Sequence, residues 1–239
     1  MICLLSVLSS DPSHLGRLDY ASLSEQTLME MVIENIDNRE VISKSKESPK
    51  DVADWHGIWC GRGVTVINWE DRDLTGTIDL QWLPSLVISL EISANALYGT
   101  IDTTKLPRTL TYLRAWDNKL SGTIDFTQLP PALAELKLNA NQLSGSVDLT
   151  QLPDSLHILN IFGNGFSGTL DLTCLPADME ELQLSYNNFE GVTDFSKLPS
   201  DLEDFDISGN PKLEGTLVME YGHFDRQWTA SNTKVEVVW

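Results

Sequence analysis

The amino-acid sequence predicts a β-solenoid, in which short parallel strands stack one repeat upon the next. The dipeptide Leu-Pro occurs six times at intervals of 23 residues, from Leu83-Pro84 to Leu198-Pro199. In every repeat an apolar-x-apolar alternation follows the dipeptide, and an asparagine comes after it at one fixed offset. Equal intervals of this length are typical of repeat architectures, because each unit needs its neighbours to bury its apolar face.

Each repeat contains one short strand and the turn that leaves it. The alternation has period two, so it predicts a strand with one buried face. The asparagine column comprises Asn95, Asn118, Asn141, Asn164, Asn187 and Asn210. A side-chain amide has donors and an acceptor, so it can bond the backbone of adjacent turns. A glycine column follows it and permits a tight backbone there.

The ends of the array differ from its centre, as a solenoid requires. We predict an N-terminal arm with a capping helix in residues 1–50 and a solenoid in residues 51–220. The solenoid begins with a degenerate repeat, residues 60–82, and continues with full repeats over residues 83–220. Ser22 and Glu25 match a capping box for a helix over Ser24–Ile36. Residues 221–239 are predicted to form a C-terminal cap, with a closing strand at 233–239.

The repeat resembles the leucine-rich repeat family. Its segment L-x-x-L-x-L-x-x-N-x-L stands as LAELKLNANQL from Leu133 to Leu143, and the following L-S-G-T-I resembles the plant-type subclass. The 23-residue length is similar to variants in proteins of single-celled eukaryotes. The resemblance implies a leucine-rich repeat solenoid with a curved parallel β-sheet on the concave face. It also implies an irregular or short-strand convex side, an N-terminal helical cap and a role in binding proteins.

The segment DVADWHGIWC resembles the N-terminal cap of plant-type proteins through Trp55, Gly57 and Cys60. Those caps usually hold a second cysteine nearby, and none follows here. Three scattered cysteines and the absence of Asn-x-Ser/Thr acceptors favour a reduced intracellular compartment, whereas the resemblance also allows an extracellular one. The compartment stays open.

The composition excludes some partners. The chain carries 35 acidic and 16 basic residues, a formal net charge of -19. Phosphate binding needs clustered Lys and Arg, so the charge argues against nucleic acid. No apolar run approaches the ~20 residues of a membrane helix. Residues 175–225 hold twelve acids and two lysines, whereas residues 106–152 hold four of each sign. The acidic flank suggests that a basic partner is steered towards the centre of the face.

The residues that alternate with the buried strand positions face out of the concave sheet and form three rows. The first row is Ser89, Tyr112, Glu135, Ile158, Glu181 and Asp204, the second is Glu91, Arg114, Lys137, Asn160, Gln183 and Asp206, and the third is Ser93, Trp116, Asn139, Phe162, Ser185 and Ser208. The rows expose an aromatic and basic patch in the central repeats, which we predict to be the binding site: Tyr112, Arg114, Trp116, Lys137, Ile158, Asn160, Phe162 and Tyr186. Aromatic residues and arginine beside an apolar neighbour are typical of binding hot spots. The alternative is that these are unselected surface residues, since strands favour aromatics anyway.

An aspartate ladder is the second repeated feature: Asp79, Asp102, Asp125, Asp148, Asp171 and Asp194. Such a column is able to attract divalent cations. The interpretation that we favour is turn chemistry, in which each carboxylate accepts local backbone N–H bonds. We expect no cofactor and no metal.

The sequence indicates no catalytic constellation. Its histidines are dispersed, and no nucleophile elbow is present. We therefore predict a non-catalytic scaffold that binds a protein partner through the concave face. Two alternatives are a structural subunit of a large assembly, with residues 1–20 as a docking arm, and a module that recognises a glycan or small ligand by aromatic stacking.

Overall fold

The computed structural model describes residues 20–45, 47–219 and 227–238. Each repeat contributes one strand to each of two sheets, so the chain winds as a solenoid with the core between them. The predicted solenoid fold is confirmed. Residues 1–19 and 220–226, which include most of the predicted docking arm and the start of the predicted C-terminal cap, lie outside the described residues.

The concave sheet has nine strands that follow one another in chain order. They are β1 (Ile58–Cys60), β2 (Val64–Asn68), β4 (Ser89–Glu91), β6 (Tyr112–Arg114), β8 (Glu135–Lys137), β10 (Ile158–Asn160), β12 (Glu181–Gln183), β14 (Asp204–Asp206) and β16 (Gln227–Thr229). Only the β1–β2 pair is antiparallel. From β4 to β14 the register advances by one repeat per strand, so Leu113 aligns with Leu90 and with Leu136.

The second sheet has eight strands and lies beyond the asparagine turn. They are β3 (Thr75–Thr77), β5 (Ala96–Gly99), β7 (Lys119–Gly122), β9 (Gln142–Ser146), β11 (Gly165–Gly168), β13 (Asn188–Asp194), β15 (Lys212–Val218) and β17 (Lys234–Val238). Short 3-10 turns, such as Thr103–Lys105, connect it back to the Leu-Pro segments in the first three full repeats. The convex side therefore has the predicted short strands.

The asparagine ladder joins each repeat to the one before it. The Asn141 amide donates to the carbonyl of Ala115 in the preceding repeat at 2.9 Å and to that of Leu138 in its own at 3.1 Å. Its Oδ1 accepts from the Leu120 N–H at 3.0 Å. These bonds satisfy backbone groups that the turn would otherwise bury unpaired, which explains why each full repeat carries asparagine at this point.

Gly122 shows why glycine fills the next column. Its φ is +84°, a conformation that L side chains rarely adopt. A Cβ added there would lie 2.8 Å from the Thr100 Cγ2 atom of the preceding repeat. The stacking of repeats thus excludes a side chain at this position.

The N-terminal cap contains α1 (Glu25–Val32) and α2 (Glu40–Ser43). The helix prediction is confirmed, with two corrections. The capping residue is Ser24, which accepts from the Thr27 N–H at 3.1 Å, and not Ser22, which lies in a preceding 3-10 turn. The helix also ends at Val32, because the chain then turns to place Ile36 in a bridge to Gly76.

The C-terminal end closes both sheets. The predicted closing strand forms as β17, which pairs with β15 in the second sheet, whereas β16 ends the concave sheet. Cys60 and Cys174 are exposed and free, and Cys3 lies outside the described residues. In the described part of the chain, no helix has the length and apolar character needed to span a membrane.

Candidate binding face

The strand register places the three predicted rows side by side. Tyr112, Glu135 and Ile158 are paired neighbours in the first row. Arg114 and Lys137 are neighbours in the second. Since parallel strands lie about 4.8 Å apart, the eight predicted site residues span four strands and the turns that follow them. The structure separates them into an ion-paired group and an aromatic pair.

The ion-pair cluster comprises Glu91, Arg114, Glu135 and Lys137. The Arg114 guanidinium binds Glu135 through two bonds, Nε to Oε1 at 2.7 Å and Nη2 to Oε2 at 2.6 Å. Lys137 Nζ lies 3.4 Å from Glu135 Oε1, and Arg114 Nη1 lies 3.7 Å from Glu91 Oε2. Two carboxylates therefore neutralise the two cations.

The pKa values of the two carboxylates of this cluster shift in opposite directions. Hydrogen bonds from Arg114 hold the pKa of Glu135 below its ordinary value, although burial opposes this shift. Burial raises the pKa of Glu91, and the like charge of Glu70 adds to this shift. Arg114 opposes the shift only weakly, because its Nη1 lies 3.7 Å from Glu91 Oε2. The Arg114 guanidinium also lies 5.5 Å from the centroid of the Tyr112 ring, a cation–π contact. Both cations are thus engaged within the protein.

The aromatic pair consists of Phe162 and Tyr186. Their ring centroids lie 5.4 Å apart at 79°, an edge-to-face arrangement. Both rings are exposed, Phe162 by 37% and Tyr186 by 62%. The remaining predicted residues, Trp116, Ile158 and Asn160, are half-buried.

Tyr186 has an unusual backbone. Its φ is +52°, at the turn position that precedes each asparagine of the ladder. The other full repeats place smaller residues there: Ala94, Asp117, Ala140, Gly163 and Gly209. A bulky residue in the left-handed region is strained. The Tyr186 ring fits because the next repeat has Gly209, whose added Cβ would lie 3.0 Å from the Tyr186 Cγ.

Strands β12 and β14 carry the acidic end of the face, and we refer to Glu181, Asp204 and Asp206 as the acidic group. Glu181 and Asp204 are paired neighbours in the register. Glu181 lies 3.9 Å from Lys137, and among the described residues Asp204 has no ion pair. Burial would raise the pKa of Asp206, yet bonds from Thr229 and Ser208 hold it below its ordinary value.

The sequence places the acidic residues of the concave face in the rows, but the ion pairs of Glu135 were not predicted from it. The cross-strand spacing was the available signal, because opposite charges on neighbouring strands pair when they share a row or a diagonal. Glu135 lies on the diagonal from Arg114 across strands β6 and β8, and Lys137 lies two residues further along the strand of Glu135.

The aspartate ladder lies on the convex side and performs turn chemistry. Asp148 Oδ1 accepts from the Thr150 N–H at 2.9 Å and from its hydroxyl at 2.7 Å. These bonds hold the pKa of Asp148 below its ordinary value, as the matching bonds from Thr173 do for Asp171. The described residues contain no cluster of His, Cys, Asp and Glu suited to a metal ion.

Neither a protein-family model nor a curated protein matches the chain. Solved structures do. Pollen receptor kinase 3 is 28% identical, with a TM-score of 0.61 over 79% of this chain and 95% of that one. The ectodomain of the Arabidopsis receptor kinase HAESA, solved with a peptide hormone, is 23% identical, with a TM-score of 0.63 over 81% of this chain and 34% of that one. A plant ice-binding protein is 21% identical, with a TM-score of 0.56 over 88% of this chain and 86% of that one.

These likenesses agree with the repeat motif and with the two stacked parallel sheets. The likenesses to HAESA and to the ice-binding protein, both under 25% identical, show the fold. The asparagine ladder, the 23-residue register and the likeness to these solved structures are together consistent with a leucine-rich repeat protein.

Proposed function

We propose that the chain is a non-catalytic protein-binding module that holds a partner on its concave face. The site residues are those predicted from the sequence: Tyr112, Arg114, Trp116, Lys137, Ile158, Asn160, Phe162 and Tyr186. One observation carries the proposal most directly. The concave sheet presents two exposed rings packed against each other, and aromatic side chains are enriched among the anchors of binding surfaces.

The fold supports the same proposal. In HAESA a receptor of this architecture binds a peptide hormone. In this chain, the rows of strands β8, β10 and β12 present polar side chains beside apolar ones, and an extended segment of a partner could lie across them. A face of this kind gains affinity from a few anchors and specificity from the polar groups around them.

Site-specific photo-crosslinking of the full chain tests the location. A photoreactive phenylalanine analogue replaces Asn139, which lies in the third row between Trp116 and Phe162. In a matched control variant it replaces Gln128, an exposed residue of the convex 3-10 turn. We expect the Asn139 variant to crosslink one discrete protein from the native source, and the Gln128 variant to leave it uncrosslinked.

The same experiment separates the alternatives. Crosslinks from both positions, together with co-elution in a stable complex, would favour a structural subunit enclosed in an assembly. Crosslinks from neither position, with glycans retained on an array, would favour carbohydrate recognition and reject the proposal.

A further inference from the structure

Within the described residues, three features outside the structural ladders stand out. The exposed valines Val192, Val218, Val237 and Val238 lie on strands β13, β15 and β17 of the second sheet, and nothing in the structure shows what covers them. The cavity of about 510 Å³ near the N-terminal cap is a polar notch lined by residues such as Glu34 and Arg39. The aromatic pair and the acidic group both belong to the C-terminal half of the concave face, the pair in the third row and its turn and the acids in the first and second rows.

We infer that the partner binds as an extended segment with a lysine or arginine side chain on the aromatic pair, flanked by further positive charge against the acidic group. The inference rests on the proposed function and deepens it. It assigns the ligand's chemistry and places its anchor in the C-terminal half of the concave sheet.

The rings supply the first part of the argument. Phe162 and Tyr186 are perpendicular to each other, so one presents its edge where the other presents its face. A cation above an exposed ring face is attracted by the ring quadrupole. The backbone of Tyr186 is strained, and the other full repeats have Ala, Asp or Gly at this position. Strained residues of this kind cluster at ligand-binding sites, which supports a binding role for the Tyr186 ring.

The carboxylates supply the charge. Glu181 and Asp204 are adjacent like charges in one row, an arrangement that is unfavourable unless a cation joins them. Strands β12, β14 and β16 contain no lysine or arginine. A cation from a partner would relieve this repulsion, whereas an acidic segment would add to it.

The ion-pair cluster explains why an acidic ligand is not the better choice. Arg114 and Lys137 are the cations of the central face, and both are held by Glu135. A ligand carboxylate would have to displace Glu135 from a two-bond contact, whereas a ligand ammonium meets Asp204, which has no ion pair among the described residues.

Fluorescence anisotropy with three defined probes tests the inference. The first is a labelled decapeptide of alternating lysine and serine, the second has acetylated lysines, and the third has glutamates. We expect the lysine probe to bind and the acetylated and glutamate probes to bind at least about tenfold more weakly. Phe162→Ala and Tyr186→Gly should each weaken the lysine probe by about fivefold. The control for the two ring variants is Tyr98→Ala, which removes an exposed aromatic ring from the second sheet. A third site variant, Asp204→Asn, has Asp148→Asn on the convex side as its control.

The controls decide between site-specific binding and general attraction to an acidic protein. Asp204→Asn should weaken binding by about threefold while Asp148→Asn leaves it unchanged. Equal effects of the site variants and their controls would overturn the inference, as would an absence of lysine-probe binding. In either case an intact crosslink at Asn139 would leave the proposed function standing, and its loss there would reject the proposed function separately.

A melting temperature for Tyr186→Gly guards against misfolding. Gly occupies this turn position in two sibling repeats, so the variant should melt at or above the wild-type temperature while it binds the lysine probe less well. A variant that melts much lower would show Tyr186 to be a packing residue, and Phe162→Ala would then decide alone.

Discussion

The two halves of the concave sheet have the same backbone but opposite electrostatic states. In the N-terminal half, Arg114 and Lys137 face Glu91 and Glu135 within 4 Å, and each charge is compensated. In the C-terminal half, the acidic group has one ion pair among the described residues, the 3.9 Å contact of Glu181 with Lys137. The charges of the N-terminal half pair with one another within the protein, whereas Asp204 in the C-terminal half is available to pair with a partner's cation.

The aromatic residues divide in the same way. Tyr112 lies under the Arg114 guanidinium, so its ring is already occupied by a cation from the chain itself. Phe162 and Tyr186 contact each other, and no described residue places a cation over either ring. The comparison suggests that the cation–π contact at Arg114 is an internal version of the contact that the aromatic pair offers to a ligand.

The largest expected effect comes from breaking the compensated half. Glu135→Ala leaves Arg114 and Lys137 without their shared carboxylate, and we expect the free energy of unfolding to fall by about 2 kcal/mol. The estimate lies between values for buried and exposed pairs, because Glu135 is 6% exposed while the Arg114 side chain is 37% exposed. Urea denaturation measures the change.

Glu181→Ala is the matched control from the other half. It removes a carboxylate at the same row position with only one hydrogen bond, from Asn160 at 3.2 Å, and a distant lysine. A loss of about 0.5 kcal/mol or less is expected. If the two variants lost equal stability, the division between a self-compensated half and an available half would be wrong.

A transplant tests the strained tyrosine. Ala140 holds the same turn position as Tyr186, two repeats earlier. The repeat before Ala140 has Trp116 in the third row, as the repeat before Tyr186 has Phe162. A glycine, Gly163, follows in the next repeat, as Gly209 does after Tyr186. Ala140→Tyr should therefore build a second aromatic pair, at a cost of about 1 kcal/mol for the left-handed backbone. Thermal or urea unfolding measures this cost.

Binding by the same variant separates the rings from the carboxylates. The new pair would lie beside the ion-pair cluster, whose carboxylates Glu91 and Glu135 already face Arg114 and Lys137. We expect Ala140→Tyr to raise the affinity for the lysine decapeptide by less than about twofold. A gain as large as the loss from Phe162→Ala would mean that rings alone capture the cation.

Two buried glutamates of the compensated half should respond to pH in opposite directions. The pKa of Glu91 is raised in the folded protein, so ionised Glu91 lowers stability once the pH passes its ordinary value of 4.5. The pKa of Glu135 is lowered, so its contribution to stability is present above that value and is lost as the pH falls through the folded-state pKa.

Melting temperatures of Glu91→Gln and Glu135→Gln follow from these signs. At pH 7 the Glu91→Gln variant should melt at or slightly above the wild-type temperature, and its advantage should vanish on acidification to about pH 4. Glu135→Gln should melt lower at pH 7 and approach wild type in acid. The same sign for both variants at pH 7 would contradict the difference in their surroundings.

Much of this molecule could be predicted from its sequence, because the physics repeats every 23 residues. The strand, the asparagine turn and the outward rows all follow from periods and residue types. The rows placed Glu135 beside Arg114 but could not show a two-bond contact, which depends on side-chain rotamers. Nor could the sequence show that Tyr186 adopts a positive φ, since the position looks variable: it holds Ala, Asp, Gly and Tyr.

The smallest expected effect is on Trp116, which sequence analysis placed at the centre of the site. Trp116 is half-buried, and it stands in the third row beside the ion-pair cluster, two repeats before Phe162. At about 4.8 Å per strand it is roughly 10 Å from Phe162, too far to share a single side chain of the ligand. Trp116→Ala should therefore change the affinity for the lysine decapeptide by less than about twofold.

Fluorescence anisotropy of Trp116→Ala and Phe162→Ala, side by side, measures that difference. Both variants remove a large ring from the same row, so any general loss of apolar surface would affect them alike. A fivefold loss for Trp116→Ala would place the cation nearer the centre of the sheet. Retained binding in Trp116→Ala, with loss in Phe162→Ala, would assign the anchor to the half of the sheet whose charges the chain has not already paired.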